Sequence, residues 1–158
     1  KNVPKFVITR VQGKAVGGGV GVISASDYVL AVENASVKLS ELALGIGPFV
    51  IGPAVERKVG KSAFEAMSID TDWRDAHWAK ERGLYTEVFP DIRQLDDALT
   101  ALAEKLSRFS PEAMAGLKKV FWEGTENWEE LLEQRAEMSG RLVLSEFTSR
   151  AIQAFKQK

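Results

Sequence analysis

The chain has 158 residues, of which 45% are hydrophobic and 27% charged, and its formal net charge is −1. This composition is typical of a single globular domain, and the lack of a basic surplus argues against nucleic acid or an anionic membrane surface as a partner. The chain has no cysteine and one histidine. Disulfides, thiolate catalysis and a histidine-based metal cluster are therefore excluded.

The N-terminal end has no initiator methionine and enters a strand-like run, Phe6–Val11, almost at once. We therefore expect the chain to be a fragment of a longer protein. Its first residues do not form a signal peptide, and no apolar run is long enough for a membrane span. A cytoplasmic location is the resulting prediction.

The first 50 residues alternate short strands with short helical segments. Runs of β-branched and aromatic residues predict strands at 5–11, 28–32 and 37–39, with a turn at 12–14. A short helix is expected after the glycines at 17–19. A helical turn is expected at 40–44, with Ser40 as a candidate N-cap.

Helical patterns dominate the remainder of the chain, which is predicted to contain helices at 51–59, 62–69, 72–82, 92–108, 112–122, 126–144 and 145–157 and a strand at 84–89. Gly60 separates the first two helices, and Asp72 or Thr71 is expected to cap the third. This order predicts an α/β core that is followed by a helical region from residue 92.

The run Gly17-Gly18-Gly19 is the first candidate site. It follows a strand and precedes a helix, so that the backbone can approach a ligand closely and the helix N-terminus offers free N–H groups. A phosphate fits this arrangement, and so does the oxygen of a thioester that becomes an enolate. The spacing matches neither a dinucleotide fingerprint nor a P-loop. A plain strand-to-helix turn is the alternative interpretation.

The surrounding sequence resembles the crotonase family of enoyl-CoA hydratases and isomerases. In that family an N-G-x-A-x-G-G-G turn opens a helix that ends in C-D or S-D, and a carboxylate follows before L-G-I. The matching segments in this chain occur in the same order and cover essentially all of it: Gln12–Asp27, Leu39–Ile46, Val59–Lys61, Asp75–Leu84 and Ala154–Phe155.

The resemblance implies an α/β fold built as a spiral of ββα turns. Residues 1–91 would be the C-terminal part of this spiral, and residues 92–158 a helical region that builds a homotrimer or a dimer of trimers. The first half of the family's fold, with its first oxyanion N–H, has no counterpart in the chain. The implied partner is an acyl-CoA substrate, with no metal and no cofactor beyond the CoA of that substrate.

The resemblance also implies roles for individual residues. Gly18 N–H would be the second oxyanion donor, and Glu41 would be the acid/base. A carboxylate in the first turn of a helix, stabilised by the helix dipole, is the alternative interpretation of Glu41. The residues that would bind substrate are Gly17, Gly19, Gly21, Leu42, Pro48, Phe49 and Val50, with Phe155 and Lys158 at the CoA adenine and phosphate. A charged, frayed tail is the alternative for the last two.

Position 21 decides the predicted reaction. Family members that hydrate enoyl-CoA carry two glutamates, and the first of them stands where this chain has Gly21. One carboxylate is enough to lift a proton from C2 and return it at C4. Phe49-Val50-Ile51 also replaces the glycine-rich turn of hydratases and is similar to the mitochondrial-type isomerases. We therefore predict isomerisation of 3-enoyl-CoA to 2-enoyl-CoA.

Three alternatives remain open. One is hydration, for example of a branched substrate such as methylglutaconyl-CoA. The second is a non-catalytic acyl-CoA-binding or scaffold subunit, and the third is that this chain alone is an inactive fragment. The hydrolytic dehalogenase branch is set aside, because it carries an aspartate where this chain has Phe49. His77 is interpreted as a surface or packing residue, and Asp27 as a structural hydrogen-bond acceptor.

Overall fold

The structure of the protein is a computed structural model that describes the backbone of residues 1–156 and the side chains of residues 1–154. Within this part of the chain, short strands and helices alternate up to Phe89, and helices follow. The predicted α/β class is confirmed. The boundary that was predicted between residues 91 and 92 stays a prediction. Helix α5 (Ile92–Ser107), which begins there, packs directly on the strands.

The strands of the described residues form two three-stranded sheets. They are β1 (Ile8–Val11), β2 (Lys14–Val16), β3 (Tyr28–Val32), β4 (Ser36–Lys38), β5 (Arg74–Asp75) and β6 (Glu87–Phe89). The first sheet has the order β1-β3-β6 and is parallel. In the second sheet β2 is parallel to β4, and β4 is antiparallel to β5. From β1 to β4 the consecutive strands alternate between the two sheets, as in a ββα spiral, whereas β5 joins β4 in the second sheet and β6 returns to the first.

The helices lie outside these sheets. They are α1 (Gly18–Ser24), α2 (Gly52–Val59), α3 (Lys61–Ile69), α4 (Ala76–Glu81), α5 (Ile92–Ser107), α6 (Pro111–Phe121), α7 (Trp128–Val143) and α8 (Glu146–Lys156), with a 3-10 helix at Leu42–Leu44. None of the helices described here combines the length and the apolar character that a membrane span requires. Asp91 and Ser110 cap α5 and α6 by accepting the backbone N–H three residues further on.

Three local predictions were wrong. Lys14, which was expected in a turn, begins β2 (Lys14–Val16), a strand that was not predicted and that forms because these residues pair with β4. The helix expected from residue 72 begins only at Ala76, because the Asp75 side chain accepts the Trp78 N–H and Arg74–Asp75 pairs with β4. Ser40 does not cap the turn that follows it, since Glu41 stands at the N-cap position and makes no side-chain cap.

The hydrophobic core lies around β3, whose residues Val29–Val32 are almost completely buried. The strand runs between β1 and β6 and is covered on its faces by other elements, which explains its unbroken apolar sequence. Leu95 of α5 is fully buried in the same core. Each fully buried aliphatic side chain of this kind contributes about 1.5–3 kcal/mol to folding.

A buried ion pair joins the helical part to the sheets. Lys118 Nζ of α6 donates to Asp27 Oδ2, and the two side chains are 3% and 8% exposed. Val7 N–H donates to the same oxygen at 2.7 Å, and the Trp122 indole N–H donates to Asp27 Oδ1 at 3.3 Å. Burial raises the pKa of Asp27, but the hydrogen bonds more than offset this effect and hold the pKa below its usual range. Asp27 is therefore structural, as predicted.

We predict that Asp27→Ala destabilises the full-length protein by about 3–5 kcal/mol, because Lys118 would remain buried without its partner. The measurement is urea unfolding at pH 7. Glu137→Ala is the matched control, because Glu137 forms an exposed pair with Arg141, and such pairs contribute little. Equal stability of the two variants would contradict the prediction.

The same ion pair predicts an acid dependence of stability. The Asp27 pKa is lowered from its ordinary value of 3.8, so its contribution is fully present above that pH and is lost as the pH falls towards the folded-state pKa. The free energy of unfolding should fall more steeply below pH 3.8 in the wild type than in Asp27→Ala. Parallel curves for the two proteins would show that Asp27 is not the responsible group.

Candidate active site

Gly17 connects β2 to α1 and has a positive φ of 51°. Its N–H donates to Lys38 O at 3.1 Å, and its carbonyl accepts the Gly21 N–H at 3.1 Å. A methyl group built on Gly17 would lie 2.8 Å from Glu41 Oε1. The conformation and the close approach both require glycine here. The strand pairing therefore brings the start of α1 against the Glu41 carboxylate.

Glu41 stands between β4 and the 3-10 helix at Leu42–Leu44. Its carbonyl oxygen accepts the N–H groups of Leu44 and Ile46, each at 3.0 Å, which fix the turn. Glu41 Oε2 is buried and has no hydrogen-bond partner among the described residues. Burial raises the pKa of Glu41, and the N–H groups of Glu41 and Ser40 lower it by less. A carboxylate with these properties is suited to take up and return a proton.

A cavity of about 540 Å³ opens beside Gly18, at the start of α1. Its walls come mainly from α1, the start of α2, and α7, and they include Gly18, Gly21, Val50, Ile51, Trp128 and Leu132. Most of this lining is apolar. The N–H groups in the first turn of a helix have no partner within the helix, so an apolar chain in the cavity would have hydrogen-bond donors beside it.

Gly21 is buried against Ile51, the residue that precedes α2. A methyl group built on Gly21 would lie 2.5 Å from Ile51 Cγ2 and 2.9 Å from Ile51 Cβ. Carbon atoms in contact are normally separated by about 3.5–4.0 Å. A side chain at position 21 therefore has no room while Ile51 stays in place.

The other predicted substrate-binding residues are distributed over several places. Val50 and Gly21 share the cavity with Gly18, whereas Pro48 and Phe49 line a second cavity of about 330 Å³ between α2 and α3. Leu42 is 52% exposed. Gly19 is exposed, and the Phe155 side chain and Lys158 lie outside the described part of the chain. His77, which was interpreted as a surface or packing residue, is exposed on α4.

Two groups of residues at the site were missed by sequence reasoning. Trp128 and Leu132 line the cavity, and their spacing of four residues on α7 places them on one helix face. On the other side, Phe147 and Thr148 of α8 contact Gly45, which has a φ of 79° and closes the turn after Glu41. Thr148 Oγ1 would lie 2.9 Å from a methyl group at Gly45. No pattern within α8 itself indicates this contact.

Comparison with known proteins agrees with this architecture. The enoyl-CoA hydratase/isomerase family model matches residues 1–158. The chain is 35% identical over 156 residues to the 2,3-dehydroadipyl-CoA hydratase of Escherichia coli (strain K12), and the match covers 98% of this chain and 61% of that protein. It is 28% identical to the peroxisomal Delta(3,5)-Delta(2,4)-dienoyl-CoA isomerase of Arabidopsis thaliana, with 98% and 56% covered.

Solved structures show the same fold. An enoyl-CoA hydratase from Mycobacterium avium subsp. paratuberculosis K-10 superimposes with a TM-score of 0.89 at 27% identity, and the match covers 98% of this chain and 63% of that one. An enoyl-CoA hydratase/isomerase from Pseudoalteromonas atlantica T6c, at 20% identity, gives a TM-score of 0.91 with 99% and 63% covered. The chain thus spans about three fifths of the length of these proteins, and it belongs to the enoyl-CoA hydratase/isomerase family.

Proposed function

We propose that the protein containing this chain isomerises 3-enoyl-CoA to 2-enoyl-CoA, with Glu41 as the acid/base. The observation that carries the proposal is the Glu41 carboxylate, which is partly buried against Gly17 and has a free Oε2. No second carboxylate stands on α1, where position 21 is a glycine packed against Ile51. One acid/base group suits a reaction that moves one proton.

The reaction proceeds in two steps under this proposal. The thioester oxygen accepts a hydrogen bond from Gly18 N–H, and Glu41 removes a proton from C2 to give an enolate. Glu41 then returns the proton at C4, and the double bond moves to C2–C3. One oxyanion donor is worth about 2.7–4 kcal/mol of transition-state stabilisation. The other donor would come from a part of the protein outside this chain.

The acyl chain would enter the cavity beside Gly18. Val50 lies in its wall, together with Trp128 and Leu132. Because this lining is largely apolar, burying a hydrocarbon chain there is favourable. Leu42, Pro48 and Phe49 would act closer to the turn that follows Glu41, and Phe155 and Lys158 would contact the CoA adenine and phosphate.

The proposed assembly is a homotrimer or a dimer of trimers through the helical region. Large apolar side chains of this region are exposed, including Val120, Phe121, Leu144 and Phe147. Such a concentration of apolar surface is typical of an interface.

Hydration of a 2-enoyl-CoA is the second candidate function. It is favoured by the 35% identity to a 2,3-dehydroadipyl-CoA hydratase. Water addition requires a group that activates water and a group that protonates C2. Glu41 would then need a partner from outside this chain. Acyl-CoA binding without turnover of either substrate would instead indicate a non-catalytic member of the family.

We predict that Glu41→Gln lowers kcat for 3-enoyl-CoA isomerisation by at least about 10²–10⁴-fold, because glutamine has no carboxylate to carry the proton. The assay follows the absorbance of the conjugated thioester in the full-length protein. Glu33→Gln, at an exposed glutamate, is the matched control and should retain activity. Retained activity in Glu41→Gln would overturn the assignment of the base.

We also predict an acidic limb in the pH profile of kcat/KM. Burial raises the Glu41 pKa above its ordinary value of 4.5, and only the carboxylate form can accept the C2 proton. Activity should therefore rise with pH through a midpoint above 4.5 and then level off. A midpoint at or below 4.5 would show that the base is not buried as described.

The same raised pKa has a consequence for stability. The unfolded state loses the Glu41 proton at a lower pH than the folded state, so the fold loses stability as the pH rises from 4.5 through the folded-state pKa. Glu41→Gln should remove this loss. Urea unfolding at pH 4 and pH 7 tests this, and an equal pH dependence in both proteins would contradict it.

A further inference from the structure

Helix α1 packs against the start of α2 at one close contact. Gly21 of α1 is buried, and Ile51 is the residue that precedes α2. The two nearest atoms to a methyl group built on Gly21 are Ile51 Cγ2 at 2.5 Å and Ile51 Cβ at 2.9 Å. The next is Ile51 Cα at 3.9 Å.

Rotation of the Ile51 side chain cannot relieve this contact. A turn about χ1 moves Cγ2, although β-branched side chains resist it, but it leaves Cβ where the backbone places it. The separation of 2.9 Å between the built methyl carbon and Ile51 Cβ is shorter than an ordinary contact of about 3.5–4.0 Å. A side chain at position 21 therefore requires a shift between α1 and α2, or a glycine at position 51.

Gly21 and Ile51 both line the cavity that begins at Gly18. A carboxylate at position 21 would stand in this cavity beside the thioester, where it would activate water. Ile51 instead adds an apolar wall. We infer that Ile51 selects isomerisation over hydration, because its side chain occupies the space that a second carboxylate and its water need. This inference rests on the proposed function, and it adds a residue that sets the reaction together with Gly21.

The chemistry explains why one residue can set the outcome. Hydration of a 2-enoyl-CoA forms a C3–O bond from water, transfers one water proton to a base and delivers a proton to C2. Isomerisation forms no bond to oxygen, since the proton leaves C2 and returns at C4. Glu41 alone is sufficient for isomerisation, whereas hydration needs a further group beside C3.

The steric part of the inference is tested by thermal unfolding of the full-length protein. Gly21→Ala should lower Tm by roughly 2–12 °C, as expected for overpacking in a protein of this size. The Tm of Gly21→Ala/Ile51→Gly should be only slightly lower than the Tm of Ile51→Gly alone, because the nearest remaining atom is Cα of residue 51 at 3.9 Å. In the Ile51→Ala background, Gly21→Ala should still lower Tm, since Cβ of residue 51 remains.

Gly116→Ala is the matched control, because it adds a methyl group to a helical glycine with no atom within 4 Å. Its Tm should stay unchanged or rise. The inference fails if Gly21→Ala leaves Tm unchanged or raises it, as expected for Gly116→Ala. It also fails if Gly21→Ala lowers Tm as much in the Ile51→Gly background as in the wild type, because the contact with Ile51 is then not the constraint.

The catalytic part is tested by hydration of a 2-enoyl-CoA. Gly21→Glu/Ile51→Gly should hydrate the substrate about 10²-fold faster than Gly21→Glu or Gly21→Glu/Ile51→Ala. The selective role of Ile51 is overturned if Gly21→Glu alone hydrates the substrate as fast as Gly21→Glu/Ile51→Gly. It is also overturned if the folded double variant hydrates no faster than the wild type.

The proposed function is read out separately by wild-type isomerisation of a 3-enoyl-CoA. If the wild type does not isomerise while the double variant gains hydration, isomerisation by the wild type is refuted and the exclusion of a carboxylate by Ile51 stands. If the wild type hydrates as fast as Gly21→Glu/Ile51→Gly, Ile51 does not set the reaction.

Discussion

The buried carboxylate of Asp27 is the group on which the arrangement of the helices depends. It accepts hydrogen bonds from Val7 at the edge of the first sheet, from Lys118 of α6 and from the Trp122 indole. Trp122 also lines the cavity beside Gly18, and the guanidinium of Arg57 lies 4.5 Å from its ring centroid. Asp27 therefore connects the first sheet to α6 and, through Trp122, to the wall of the cavity, where Arg57 of α2 packs on the same ring.

The position of Glu41, the proposed acid/base, depends on a second constraint, which lies in the backbone. Pairing of Val16 with Lys38 holds β2 beside β4, and the Gly17 N–H extends this pairing to Lys38 O. Glu41 follows three residues after Lys38 and meets Gly17 where no side chain fits. Main-chain hydrogen bonds and the missing Cβ of Gly17 thus constrain where the carboxylate lies.

Sequence reasoning succeeded where the signal is local. The apolar run of β3 and the break at Gly60 are visible in short windows, whereas the roles of Glu41 and Gly18 rest on the family's motifs and stay proposals. It failed where pairing decides the structure. Strand β2 has three residues and no clear alternation, and it exists because β4 lies beside it. The grouping of Gly21 with Ile51, thirty residues further on, required the packing of two helices.

The contact between α8 and Gly45 links the C-terminal end of the described chain to the turn that carries Glu41. Phe147 and Thr148 contact Gly45 at the end of this turn, whereas Gly17 contacts the Glu41 carboxylate at its start. The α8 side chains that contact Gly45 lie more than a hundred residues from the glycines at 17–19. Each of these two features can therefore change while the other is kept. Relatives that differ in their last helix would then differ in the position of the carboxylate that corresponds to Glu41, while they retain the same glycine run.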